Sequence, residues 1–206
     1  VGTFSGTTSY LCLSGETFSG LREAFHHSAF QVASVMTTTG YATVDFDKWS
    51  DLSRAVMVMV MFIGACAGST GGGMKVSRWI IYVKQMIVEL QNYIHPNSVK
   101  NVRLDGKVVN KDTLRTTNVY MMAYIIIFAL SFLIICFDGF DPVTTFTSVT
   151  ATINNIGPGL NMVGPAGNFS KFSVLSKWVF IFDMIAGRLE LFPVLILLAP
   201  NTWRKK

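Results

Sequence analysis

Thr37-Thr38-Thr39-Gly40-Tyr41 sets three hydroxyl residues before a glycine. A monovalent cation leaving water needs its hydration oxygens replaced, and backbone carbonyls do this without a fixed charge that would hold the ion too tightly. Glycine readily takes the φ values that aim successive carbonyls to one side, and it leaves the bore clear. A second glycine-rich stretch, Gly68-Ser69-Thr70-Gly71-Gly72-Gly73-Met74-Lys75, invites a phosphate-binding reading. That reading fails, because Met74 separates Gly73 from Lys75 and Val76 stands where a Walker A loop needs a hydroxyl. Each glycine costs about 1 kcal/mol in a helix relative to alanine. The triplet therefore predicts a helix that unwinds.

Three ionisable residues, Asp183, Arg188 and Glu190, lie in the apolar stretch from Val174 to Leu198. Each costs at least about 2.5 to 3.5 kcal/mol at membrane depth, so such groups face the protein interior and find partners. The five donors of Arg188 suit loosened carbonyls of the Gly68 to Gly73 loop. A pair with Asp183 or Glu190 is the other reading, and the role of Asp183 stays open. His26 and His27 are adjacent and lack the i, i+3 or i+4 spacing of two ligands on one helical face. They read as polar residues of an outer vestibule. Cys12, Cys66 and Cys136 have no CxxC or histidine partner and read as small apolar fillers.

The elements that must hold these residues are written in the composition. Half of the chain is apolar, 14% is charged, and sixteen Phe and ten Met sit in long runs, a balance that points to membrane. Val119 to Phe137 is an uncharged run of nineteen residues, long enough for a hydrocarbon core of about 30 Å. Ala55 to Ala67 is apolar for thirteen residues, or roughly 20 Å, and breaks at Gly68 before it has crossed. Helix should resume near Val76 to Leu90. Between Lys75 and Arg115 eight Lys/Arg face three acids, and Arg204, Lys205 and Lys206 end the chain. The positive-inside rule makes both segments cytoplasmic. Gly15 to Asp51 and Asp138 to Lys177 hold seven acids and face outward. Orientation thus explains the net charge of +5, and no basic stripe interleaved with aromatics suggests nucleic acid. Asn97 to Lys111, turning at Asp105-Gly106, reads as a short exposed hairpin. Val1 to Gly20 has no charged segment leading into an apolar one, so the chain reads as part of a longer protein.

An internal repeat organises the rest. Phe25 to Tyr41 aligns with Pro142 to Pro158, placing Gly40 on Gly157. The register then shifts by six, so that Leu52-Ser53 meets Leu175-Ser176, Met61 meets Met184, and Gly64 meets Gly187. Each unit reads as a short helix, a glycine turn and a longer apolar helix. The short helix, of about fifteen residues, cannot cross a bilayer and reads as re-entrant. Irregular backbone at membrane depth is tolerated where protein or a water-filled path covers it. Asn118 to Phe137 gives the second unit its first spanning helix, which the first unit lacks. Two units cannot enclose an ion, so two more must come from elsewhere.

In order, four segments resemble those of the Trk/Ktr/HKT superfamily. Thr37 to Tyr41 is similar to its third filter and Gly68 to Lys75 to its intramembrane loop. Asn154-Asn155-Ile156-Gly157-Pro158-Gly159 is similar to its fourth filter and Gly187-Arg188-Leu189-Glu190 to its last pore helix. The resemblance implies an all-α integral membrane protein of the bacterial inner membrane that takes up potassium and is no enzyme. Residues 1–94 would be the third pore repeat lacking most of its first helix, 95–117 a cytoplasmic linker and 118–206 the fourth repeat. Thr38, Thr39, Gly40, Asn155, Ile156 and Gly157 would form the filter, with potassium at Thr38, Thr39, Asn155 and Ile156. Gly68, Ser69, Thr70, Gly71, Gly72, Gly73, Lys75 and Arg188 would form the gate. The implied partners are lipid, the remaining half of the protein, a second copy and a cytosolic nucleotide-binding ring. No organic cofactor is implied. Ion-coupled symport is the other functional reading.

Overall fold

The fold comes from a computed structural model, which describes residues 21–64, 66, 69, 71–94, 102–104 and 107–188. It has six α-helices among these residues: α1 (Leu21–Met36), α2 (Asp51–Phe62), α3 (Val76–Ile94), α4 (Lys111–Cys136), α5 (Pro142–Ile153) and α6 (Val174–Arg188). Between α3 and α4 lies the expected hairpin, a two-stranded antiparallel ladder of β1 (Arg103–Leu104) and β2 (Lys107–Val108) pairing Arg103 with Val108. Its turn, Asp105-Gly106, falls outside the described residues, as do Cys12, Gly68, Thr70 and Glu190.

Helix α4 has 26 residues and a mean hydropathy of 2.6 over its most apolar window. At about 1.5 Å per residue it is long enough to span the bilayer core with a turn to spare. It begins seven residues before Asn118, inside the expected linker, because Asn110 caps it by accepting from Asp112 N–H. Helix α5 is the reverse case, with 12 residues and a length of about 18 Å. Asp141 caps it, accepting from Thr144 N–H at 3.0 Å. Burial alone would raise the Asp141 carboxyl, but bonds from the Thr144 hydroxyl and N–H and from Asn161 outweigh it and hold the group below its usual value. Six of its buried residues are Thr or Ser. Their hydroxyls bond back along the helix, as Thr147 does to Val143 C=O (2.7 Å), Thr150 to Phe146 C=O (2.8 Å) and Thr152 to Ser148 C=O (2.9 Å). A hydroxyl-rich helix is thereby buried without orphaned donors at those positions.

Two expectations need correction. Helix α2 ends at Phe62, not at Ala67: the chain leaves helical geometry at Ile63, and Gly64 N–H donates to Met74 C=O at 3.0 Å. The break therefore precedes the glycine triplet. Trp79 Nε1 donates to Phe62 C=O at 3.1 Å, tying the first turn of α3 to the end of α2. The two described cysteines are also not fillers. Cys66 lies in the loop, Cys136 closes α4, and both are exposed.

The repeat is visible in packing. Phe46 and Trp49 lie 6.3 Å apart, and Phe169 and Phe172, at the matching positions of the second unit, lie 5.8 Å apart. Ser50 and Ser53 hydroxyls are 3.0 Å apart, and Ser173 and Ser176 hydroxyls 3.3 Å. The units join through a shared core in which Ile156 and Leu160 of the second pack on Val32, Val35, Phe46, Met57, Val60 and Met61 of the first. Helix α6 crosses the end of α5 at Gly187, where an added Cβ would stand 1.8 Å from Ile153 C=O. Replacing Gly187 with Ala should force these helices apart at a cost of about 1–3 kcal/mol, read as an earlier thermal denaturation midpoint of the full-length protein in detergent. An unchanged midpoint would show that the crossing has slack.

Candidate functional site

The two glycine turns have one backbone path. Thr38 and Asn155 both take φ of 55°, and Gly40 and Gly157 take +75° and +104°. Thr39 N–H donates to Ser34 C=O at 2.9 Å, and Ile156 N–H to Ala151 C=O at 2.9 Å. Gly40 N–H reaches the same Ser34 carbonyl at 3.5 Å, and Gly157 N–H the same Ala151 carbonyl at 3.4 Å. In a trans peptide the C=O points opposite to the N–H it is conjugated with. Because these four N–H groups fold back onto the helix ends, the carbonyls of Thr38, Thr39, Asn155 and Ile156 aim the other way. These are the carbonyls that the sequence nominated as ion ligands.

Each turn is braced by its own unit. The Ser34 hydroxyl donates to Tyr41 C=O at 2.6 Å, and Gln31 Nε2 to Val44 C=O at 2.6 Å. In the second unit Leu160 N–H donates to the Thr147 hydroxyl at 3.0 Å, and Asn155 Nδ2 to Met184 C=O at 2.9 Å. The turns also touch one another: a Cβ on Gly40 would lie 2.2 Å from Ile156 C=O. Arg54 locks the units together, donating to Asn161 Oδ1 at 2.6 Å and pairing with Asp47 at 3.1 Å. Asn161 N–H donates to Asp47 Oδ1 at 2.9 Å.

The broken helix runs on the far side of the turns. Gly72 N–H donates to the Thr38 hydroxyl at 3.3 Å, and Gly73 N–H to Gly187 C=O at 3.3 Å. The loop thus contacts the base of the first turn and the end of α6. Thr38, Thr39, Asn155, Ile156 and Gly157 line one wall of a cavity of about 630 Å³, whose other wall carries Lys177, Phe180 and Met184.

Other nominated residues lie further out. Ser69 is exposed and donates to Cys66 C=O at 2.7 Å; Gly71 and Lys75 are half-buried. Arg188 is exposed in the last turn of α6, and no hydrogen bond joins it to another described residue. Asp183 is fully buried and accepts from the Ser131 hydroxyl at 2.8 Å, so it does not pair with Arg188. His27 Nδ1 lies 3.0 Å from the Thr43 hydroxyl. Among the described residues no cluster of three or more His, Cys, Asp or Glu could hold a metal. The sequence reading missed Arg54, Asn161 and Tyr124, and it quoted Asn154 in the fourth-filter segment without giving it a role of its own. Only Asn154 carried a signal, since the repeat alignment sets it over Thr37.

Residues 18–205 match the family model described as TrkH, cation transport protein. The Trk system potassium uptake protein TrkH of Escherichia coli K12 is 38% identical over 188 residues, which cover 91% of this chain and 38% of that protein. The Trk system potassium uptake protein TrkG of the same organism is 33% identical over 184 residues, covering 89% and 38%. The crystal structure of the potassium transporter TrkH from Vibrio parahaemolyticus superposes with a TM-score of 0.88 at 35% identity, over 98% of this chain and 43% of that one. The chain spans 38% of the length of the first of these relatives. Sequence, matched turns and superposition agree: this chain belongs to the TrkH cation transport protein family and is an all-α integral membrane protein.

Proposed function

We propose that the chain forms half of a pore for potassium uptake across the bacterial inner membrane, with the carbonyls of Thr38, Thr39, Asn155 and Ile156 replacing the water of the ion. The observation that carries this reading is the shared backbone path of the two turns, whose N–H bonds aim those four carbonyls away from the helices behind them. The relatives named potassium uptake proteins support potassium as the cargo. A buried acid favours the second reading, proton- or sodium-coupled symport: Asp183 is fully buried in α6, and acids at membrane depth mark proton relays.

Two further units complete the pore. In the first unit Val35, Phe46, Met57 and Met61 form the socket for Ile156 and Leu160, and Arg54 latches Asn161. The matching residues of the second unit, Thr152, Phe169, Phe180, Met184 and Lys177, line the 630 Å³ cavity. A filter strand from the remaining half of the protein suits that cavity. The basic segment from Lys75 to Arg115 faces the cytoplasm, and its hairpin face suits the nucleotide-binding ring that the superfamily resemblance implies, as the resemblance implies a second copy.

Gly68 to Lys75 acts as the gate, supported by the bonds from Gly72 to Thr38 and from Gly73 to Gly187. The sequence assigns Arg188, next to Gly187, to hold the loop across the path.

Replacing Gly40 or Gly157 with Ser should lower the preference for potassium over sodium. The loss should be larger at Gly40, whose Cβ meets the Ile156 carbonyl, than at Gly157, which has nothing within 4 Å. A carbonyl displacement worth about 1.4 kcal/mol is a tenfold loss. Reversal potentials under mixed ions measure it, and two unchanged ratios would remove the filter assignment. For the gate, bonds from Arg188 worth about 1.5–3 kcal/mol imply a tenfold to hundredfold shift toward opening. Flux should rise in Arg188→Ala and after deletion of Ser69 to Gly72, and the combination should add little. Full additivity, or lower flux in both single variants at normal expression, would sink the gate.

A further inference from the structure

The second turn rests on the loop through Asn154, the residue just before its first proposed ligand, Asn155. Asn154 is fully buried. Its Nδ2 donates to Thr150 C=O at 2.9 Å, and its Oδ1 accepts from the Tyr124 hydroxyl at 3.2 Å. Gly73, at φ of +73°, passes so close that a Cβ there would stand 2.3 Å from the same Oδ1. One amide oxygen therefore meets a hydroxyl from α4 and the backbone of the loop. At the matching position of the first unit Thr37 makes the same backward bond, to Ala33 C=O at 2.7 Å, but is exposed.

Tyr124 is itself held in place. It is buried in α4, its ring stacks on Tyr120 at 6.5 Å, and the Arg78 guanidinium lies 3.9 Å from the centre of the Tyr120 ring. Arg78 belongs to the first turn of α3, the turn that Trp79 fastens to Phe62.

An amide is nearly symmetric in shape and opposite in polarity at its two ends. Only hydrogen bonds decide which end faces Gly73. Thr150 C=O demands the NH₂ on its side, and the Tyr124 O–H demands the oxygen on the other. Removing the hydroxyl deletes one of these demands and leaves Oδ1 buried without its donor, which costs more than the bond itself is worth. The peptide after Asn154 carries Asn155, whose carbonyl lines the path, so the torsions of Asn154 set where that carbonyl points.

We infer that Tyr124 is a positioning residue for ion discrimination: its hydroxyl fixes the Asn154 amide between the loop and the second turn, and so fixes the Asn155 carbonyl. The inference rests on the filter reading. It assigns a selectivity role to a side chain that touches no ion and lies 30 residues before the turn.

The test is the permeability ratio of rubidium to sodium for the full-length protein in liposomes, with the thermal midpoint measured in parallel. Tyr124→Phe keeps the ring and its stacking. It should lower the ratio about two- to tenfold, the equivalent of a bond of about 0.5–1.5 kcal/mol, together with a small fall in the midpoint from the acceptor left buried. Asn154→Thr, which gives the second turn the residue of the first, should lower the ratio similarly. Tyr124→Phe should then add nothing in that background, because the acceptor is gone. An unchanged ratio in Tyr124→Phe overturns the inference, as does a lowered midpoint without a change in ratio, which assigns Tyr124 to packing alone. Additive losses in the double variant overturn it too. If Gly40→Ser changes the ratio and Tyr124→Phe does not, the filter stands and this inference falls. If the parent protein shows no preference for rubidium, the filter reading itself fails.

Discussion

A peptide group cannot aim its N–H and its C=O in the same direction, and the arrangement of both turns follows from that constraint. To present carbonyls to an ion, a turn must first find acceptors for its N–H groups on the opposite side. Both units solve this in one way, by bringing two successive N–H groups back to a single carbonyl near the end of a short helix, Ser34 in one and Ala151 in the other. The return path needs φ near +55° at Thr38 and Asn155 and beyond +70° at the glycines two residues later. A helix that crossed the bilayer would have no free carbonyl at the right depth. Shortness of α1 and α5 is therefore a requirement of the turns.

The remaining elements keep these strained turns from relaxing. Positive φ at a residue with a side chain costs about 1–3 kcal/mol and persists only where the surroundings over-determine it. For Asn155 the surroundings include a bond to Met184 C=O on α6, and for Thr38 a bond from Gly72 in the loop. Between units the constraint is met by apolar packing and by charge. Ile156 and Leu160 enter the socket of the first unit, while Arg54 gathers Asp47 and Asn161. The loop shares a partner with the second turn, since Asn154 meets Gly73. Movement of the loop therefore changes the support of the second turn.

Much of this was legible in the residues. The glycine turns, the repeat and its register shift, the unwound helix and the hairpin at residues 103–108 were each marked by a local pattern. The end of α2 was not, because apolar character continues to Ala67 while the terminator, a bond from Gly64 to Met74 C=O, joins residues across the loop. The start of α4 lay in a polar stretch whose cap at Asn110 hydropathy does not register. Asn154 and Tyr124 are 30 residues apart and join only in the fold. Arg54 and Asn161 are 107 apart. Gly68 and Thr70, proposed for the gate, lie outside the described residues, so the reading of Arg188 rests on the sequence and on its neighbour Gly187.

The central claim is that four named carbonyls replace the water of a potassium ion, and anomalous diffraction from crystals of the full-length protein grown in rubidium tests it most directly. The account predicts anomalous density within coordination distance of the Thr38, Thr39, Asn155 and Ile156 carbonyls, lost when sodium replaces rubidium. Density confined to acidic side chains such as Asp183, with none between the two turns, would contradict it.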